Sequence, residues 1–145
     1  MDPLYAARKH AKSLARDMSR CDERYIIHIA LKELGVHSDQ DGFPLAKVVV
    51  QAICGNRFCK LANGAYVTAG SCADPPMGND QVYQAINRVV RGAWENRNMK
   101  IWKCYFPEGT PGYTDCPSNW EFLFAIADFV ELWQGYCEEV NYAKQ

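Results

Sequence analysis

One stretch leaves the backbone little choice. From Asn79 to Asn98 the apolar residues Val82, Ala85, Ile86, Val89, Val90, Ala93 and Trp94 recur at separations of three and four. That is the period of an α-helix with one apolar face. The spacing predicts a single helix of about four to five turns. Tyr83, Gln84, Asn87, Arg88, Arg91 and Glu95 fall on its other face. Asn79 is the expected N-cap, its side-chain oxygen accepting from an early helical N–H. Asp80 suits the positive end of the helix dipole, and Arg97 with Asn98 suits the negative end.

The plainest reading of that polar face is a solvated one. A sharper reading rests on its residue types. Gln and Asn pair with base edges in a major groove, and Arg takes either guanine or phosphate. A helix entering the groove needs such a face and an apolar back that seats it on its own domain.

A chain of 145 residues suits one domain with a real core. Apolar residues make up 48% and charged residues 23%, the balance of an ordinary folded protein. No apolar run approaches the ~18 residues that span a bilayer, and the polar, basic stretch from Met1 to Arg20 has no secretory core. The expectation is a cytoplasmic protein. Its seven cysteines, an odd number, are then reduced thiols rather than a disulfide framework. Cys54, Cys59 and Cys72, with His28 and His37 upstream, match no common zinc spacing, so no metal site is expected. No nucleophile signature or Cys–His spacing stands out, so neither catalysis nor a cofactor is expected.

Charge is unevenly spread. The net charge is −1, yet residues 1–103 hold 15 Lys+Arg against 10 Asp+Glu, and residues 104–145 hold 1 against 7. A basic front and an acidic end fit a domain with one nucleic-acid-facing side.

In chain order, Pro3 to about Met18 reads as a first helix, with Leu4, Ala7, Leu14 and Met18 in phase. Ser19 to Asp22 reads as a capping box opening a second helix, which ends at Gly35 as a left-handed cap. His28 lies inside it as half-buried packing. Phe43-Pro44 opens a third helix that buries Leu45, Val48, Val49, Ala52 and Ile53 and stops at Gly55-Asn56. From Arg57 to Gly78 periodicity is lost. Phe58, Leu61, Tyr66 and Val67 are the expected anchors there, with a helical turn at Lys60 to Ala62. Ala73 to Gly78, with Pro75-Pro76, cannot be helix interior. Beyond Asn98, Ile101, Trp102, Tyr105 and Phe106 cluster, and Pro107 to Gly112 forms a loop. Ser118-Asn119-Trp120-Glu121 is a second capping box, starting a last helix through about Cys137.

Three blocks together go beyond generic helix patterning. Ile26-Ile27-His28 leads to Glu33-Leu34-Gly35-Val36 and then Gly42. Val82 to Trp94 is followed by Asn98. Pro117-Ser118-Asn119-Trp120-Glu121-Phe122 is followed by Ala125, Ala127 and Asp128. In this order and at these distances they resemble the C-terminal DNA-binding effector domain of the response regulator that initiates sporulation in endospore-forming bacteria, over about residues 24–135. The resemblance implies an all-α bundle of about six helices in the winged-helix-like superfamily, with a helix-turn-helix whose reader is the 79–97 helix. It also implies binding of double-stranded DNA, a homodimer in tandem, and contact with the RNA polymerase sigma subunit.

The chain departs from that pattern in three ways. Only about 20 residues precede the match, so this would be a stand-alone domain without the family's receiver. Tyr83, Gln84 and Asn87 replace the family's acidic and arginine side chains on the reading face. The first helix of the motif should lie near Ser71 to Pro76, where two prolines predict it short or absent.

The expected division is residues 1–20 as a helical extension, 21–140 as the domain and 141–145 as a tail. The expected DNA-binding residues are Asn79, Gln81, Tyr83, Gln84, Asn87, Arg88, Arg91, Arg97 and Lys100, with Lys103 adding phosphate contact. Gln84 and Asn87 suit adenine, while Arg88 and Arg91 suit phosphate or guanine. The competing expectation is a protein-interaction module on the same scaffold. There Tyr83 serves as an interface anchor.

Overall fold

The computed structural model describes residues 2–56 and 62–144. Among them the chain is all-helical, with seven helices and no strand. The expected all-α class therefore holds with one more helix than foreseen. A wing built of paired strands has no counterpart among the described residues.

The first helix, α1, runs Tyr5–Asp17, and α2 runs Glu23–Glu33. Asp22, rather than Ser19, caps α2, its carboxylate accepting from the Arg24 N–H at 2.8 Å. The Cys21 N–H bonds back to the Met18 carbonyl, which holds Ser19 and Arg20 in the link and leaves Asp22 as the first extended residue. Gly35, at φ 88°, closes α2 as expected. The Val36 N–H reaches the Leu31 carbonyl and the Gly35 N–H reaches Lys32, the paired bonds of a Schellman ending.

Helix α3 spans Gly42–Gly55 and packs against α2 and three later helices. It buries Leu45, Ala46, Val49, Val50 and Ile53 and half-buries Val48 and Ala52. Gly42 is required at its start. A Cβ there would lie 2.5 Å from the Ala85 carbonyl oxygen and from Val89 Cγ2, so only glycine lets the later helix approach this closely.

A helix not foreseen, α4, runs Ala62–Cys72. Tyr66 is one of its buried anchors, but Val67 is 51% exposed; Phe58 and Leu61 lie outside the described residues. The segment Ala73 to Gly78 is non-helical, as the prolines require. Its Met77 N–H bonds back to the Gly70 carbonyl at 2.9 Å, and a Cβ on Gly70 would run into the Met77 carbonyl.

Then come α5, Asn79–Glu95, and α6, Met99–Tyr105, capped by the Asn98 side chain. Behind them Trp102 stacks on Phe106 with centroids 4.3 Å apart, and its indole N–H donates to the Gly112 carbonyl. That bond pins the 107–117 loop. Helix α7, Asn119–Ala143, starts at the expected box: Ser118 Oγ accepts from the Glu121 N–H, and Glu121 accepts from the Ser118 N–H. It runs six residues past Cys137, to a length of ~37 Å. Helices α1, α2, α3, α5 and α6 all pack on it. Phe122, Leu123, Ile126, Ala127 and Val130 are fully buried along it. Helix α1 joins this core through the small residues Ala7, Ala11 and Ala15. No helix among the described residues is long and apolar enough to cross a membrane.

Candidate nucleic-acid interface

Helix α5 is built as its periodicity dictates. Val82, Ala85, Ile86, Val89, Val90 and Ala93 are each at most 2% exposed, seated on α3, α4 and α7. Trp94 is half-buried. The helix before it is α4, which ends at Cys72, so the stretch from Ser71 to Pro76 holds only the end of a helix, and a short or absent helix there was the expectation. The prolines fall in the turn, where a missing N–H and a fixed φ are tolerated.

Gly78, not Asn79, is the N-cap. The back-bond from Met77 to Gly70 ends the turn, so Gly78 is the first residue free to take the extended capping geometry. The Gln81 side chain then accepts from the Gly78 N–H at 2.9 Å. Asn79 is exposed in the first turn.

The nine expected contact residues divide into two groups. Asn79, Tyr83, Gln84, Arg88 and Lys100 are exposed. Among the described residues, no carboxylate lies within ion-pair distance of Arg88, Lys100 or Lys103. The others are engaged. Gln81 is also exposed but caps the helix, and Arg91 Nε donates to Asn87 Oδ1 at 3.2 Å. Asn87 is half-buried, and its Nδ2 donates to Asn119 Oδ1 at 3.2 Å. Both ends of this amide are thus occupied within the chain, whereas the expectation had it free. Arg97 is half-buried as well, its guanidinium carbon 3.6 Å from the Trp94 ring centroid and its Nη1 donating to the Trp94 carbonyl. It closes the C-terminal end of α5.

Asn119 was not foreseen as part of this face. It is 3% exposed at the first position of α7. Its Nδ2 donates to the Tyr83 carbonyl at 3.2 Å and lies 3.5 Å from the Tyr66 hydroxyl. The amide thus ties α4, α5 and α7 at one point. Tyr66 in turn stacks on Trp120, centroids 5.3 Å apart and planes within 8°. Burial pushes the Tyr66 phenol above its ordinary 10.0. The sequence signals for Asn119 were its place inside a capping box, which needs Ser118 and Glu121 and gives the residues between no task, and its place in the third block of the resemblance.

Charge runs along α5 in one direction. Asp80 lies in its first turn. Asp74, Asp39 and Asp41 line a cleft of about 660 Å³ beside Gln81 and Met77. Arg88, Arg91, Arg97, Lys100 and Lys103 follow toward the other end, with Glu95 among them. The Cys116 thiol, pushed up by burial, sits in the fields of Arg91, Glu95 and Arg97 and brings the 113–118 loop alongside. Among the described residues, no group of three His, Cys, Asp or Glu side chains could hold a metal ion. Compared with known proteins, the chain matches no family model and no curated protein.

Proposed function

We propose that the chain binds duplex DNA by setting the outer face of α5 in a major groove, as a regulator of transcription. The reading rests on one observation: a helix ~26 Å long whose apolar back is sealed by three other helices while Tyr83, Gln84, Arg88 and Arg91 stay at the surface. The turn from α4 into α5 and the resemblance over residues 24–135 support it. Gln84 and Arg88 are the base-reading residues, because they are exposed and uncommitted. Arg91, Lys100 and Lys103 take phosphates. The acidic N-terminal end of α5 tilts that end away from the backbone, so contact centres on Gln84 to Lys103. A tandem homodimer and the polymerase sigma subunit are the partners that such a regulator would use.

Selection of bound duplexes from a random pool at about 100 mM salt tests this. A motif should be enriched. Gln84→Ala should then relax one base position by about 1–3 kcal/mol, and Arg91→Ala should weaken all duplexes alike.

A protein-interaction module is the second reading. The committed amide of Asn87 and the carboxylates around the start of α5 favour it, with Tyr83, 47% exposed, as the anchor. Weak, salt-sensitive retention with no enriched motif would select this reading over the first.

A further inference from the structure

On the corner formed by α2 and the middle of α3, three nitrogen-bearing side chains meet. Arg24 and His28 sit one turn apart on α2, and Lys47 faces them from α3. Lys47 Nζ lies 3.4 Å from His28 Nδ1 and 5.7 Å from the centroid of the Phe43 ring. His28 meets the same ring edge-on at 5.0 Å, so the phenyl group fixes both partners. Arg24, Tyr25, His28 and Lys47 line a shallow concavity of about 430 Å³, and Arg24 and Lys47 also border a second of about 250 Å³ on the Pro44 side.

We propose that this corner is a binding site for a phosphate-type oxyanion, held between Lys47 and His28 with Arg24 at its edge. The inference concerns a different face from α5 and does not depend on the reading given above.

Three features carry it. An ammonium at hydrogen-bond distance from an imidazole nitrogen is compatible only with an imidazole that is neutral and accepting there. Protonating the ring makes Lys47 a repulsive neighbour unless an anion lies between them. Among the described residues Lys47 has no carboxylate partner, so one cation and a poised histidine are held together without the negative group that would complete them, with Arg24 beside them paired to Asp22. Second, the one carboxylate at the concavity is already committed. Asp22 accepts from the Arg24 backbone N–H and from its guanidinium Nη2 at 2.9 Å. Third, the surrounding charges are positive. Lys32 also acts on His28 from α2, whereas Glu23 is turned away to Gln134 on α7. Burial, then Lys47, then Lys32 hold the His28 imidazole below its ordinary 6.5. A bound oxyanion reverses the two charge effects. It accepts from Lys47 and from a protonated His28, charge-assisted bonds of the stronger kind. Binding and protonation of His28 are then linked, and affinity rises as the pH falls from 8 toward 6.

The test follows the His28 ring by NMR across pH, in inorganic phosphate and in chloride matched for ionic strength. The site predicts that phosphate raises the His28 midpoint by about one pH unit. Lys47→Gln should abolish that response, although this change alone raises the phosphate-free midpoint by removing a positive neighbour. Lys47→Arg should keep it, which separates loss of the cation from loss of the fold. Equal midpoints in phosphate and chloride, or a phosphate response that survives Lys47→Gln, would overturn the proposal.

Duplex DNA then distinguishes the source of the phosphate. If backbone phosphates occupy the corner, Lys47→Gln lowers the slope of log affinity against log salt by about one. If the slope is unchanged while inorganic phosphate still moves His28, the occupant is a small phosphorylated molecule. Failure of the α5 reading appears instead as absence of duplex binding with the His28 response intact.

Discussion

Glu33 joins three helices through one carboxylate. Its Oε1 lies 2.8 Å from His10 Nε2 on α1 and accepts from the Tyr105 hydroxyl on α6 at 2.6 Å. Burial raises the Glu33 carboxyl, but the bonds from His10 and Tyr105 outweigh it and hold the group below its ordinary 4.5. A depressed carboxyl stabilises the fold above its unfolded value, and that contribution is lost as pH falls through the folded one. Stability should therefore fall on acidification below about pH 4.5, and Glu33→Gln should flatten that limb and lower stability at neutral pH. Urea midpoints measured between pH 3 and 7 would show it, and parallel curves for both proteins would refute it. At this scale little was legible beforehand. His10, Glu33 and Tyr105 are far apart in the chain, as are Asn87 and Asn119, and no local period joins them. The exposed members of the outer face of α5 were legible, because helical spacing alone decides which side chains point away from the core.

At the scale of elements, legibility followed side-chain size. Helix α5 announced itself through the branched residues Val82, Ile86, Val89 and Val90 among its inward positions, and α7 through its capping box and aromatic residues. Helix α4 did not, because its buried positions among the described residues are Ala65, Tyr66, Ala69 and Gly70, and all but Tyr66 are small. Gly64 and Gly70 dilute the pattern further. Gly70 has a separate task in the turn, where its Cα lets Met77 close onto it. Gly70→Ala should cost roughly 1–3 kcal/mol and speed hydrogen exchange at the Met77 amide. Gly92 is the contrasting case inside α5, where an added Cβ meets nothing within 4 Å. Gly92→Ala should raise stability by about 0.5–1 kcal/mol in urea denaturation. If the two substitutions changed stability by the same amount, the back-bonded turn would have no special role.

Across the whole molecule, the basic start of the chain does not stand apart from the rest. Ala7, Ala11 and Ala15 let α1 lie close on α7, Lys12 reaches over the Tyr136 ring, and Asn141 near the end of α7 donates to the Ser19 carbonyl. The first and last helices thus clasp each other. A chain beginning at Ser19 should lose roughly 2–5 kcal/mol, because it bares apolar surface on α7 and strips His10 from Glu33. An unchanged urea midpoint would count against that clasp.

The stack of Tyr66 on Trp120 gives the molecule an optical gauge of its own. It stands one hydrogen bond from the amide that secures α5. A duplex or protein that draws Asn87 outward must disturb Asn119, and through it the surroundings of that indole. Displacement of that amide is then readable as the part of a tryptophan emission change that Trp120→Phe removes, Trp94 on α5 supplying the rest, with no label added to the protein.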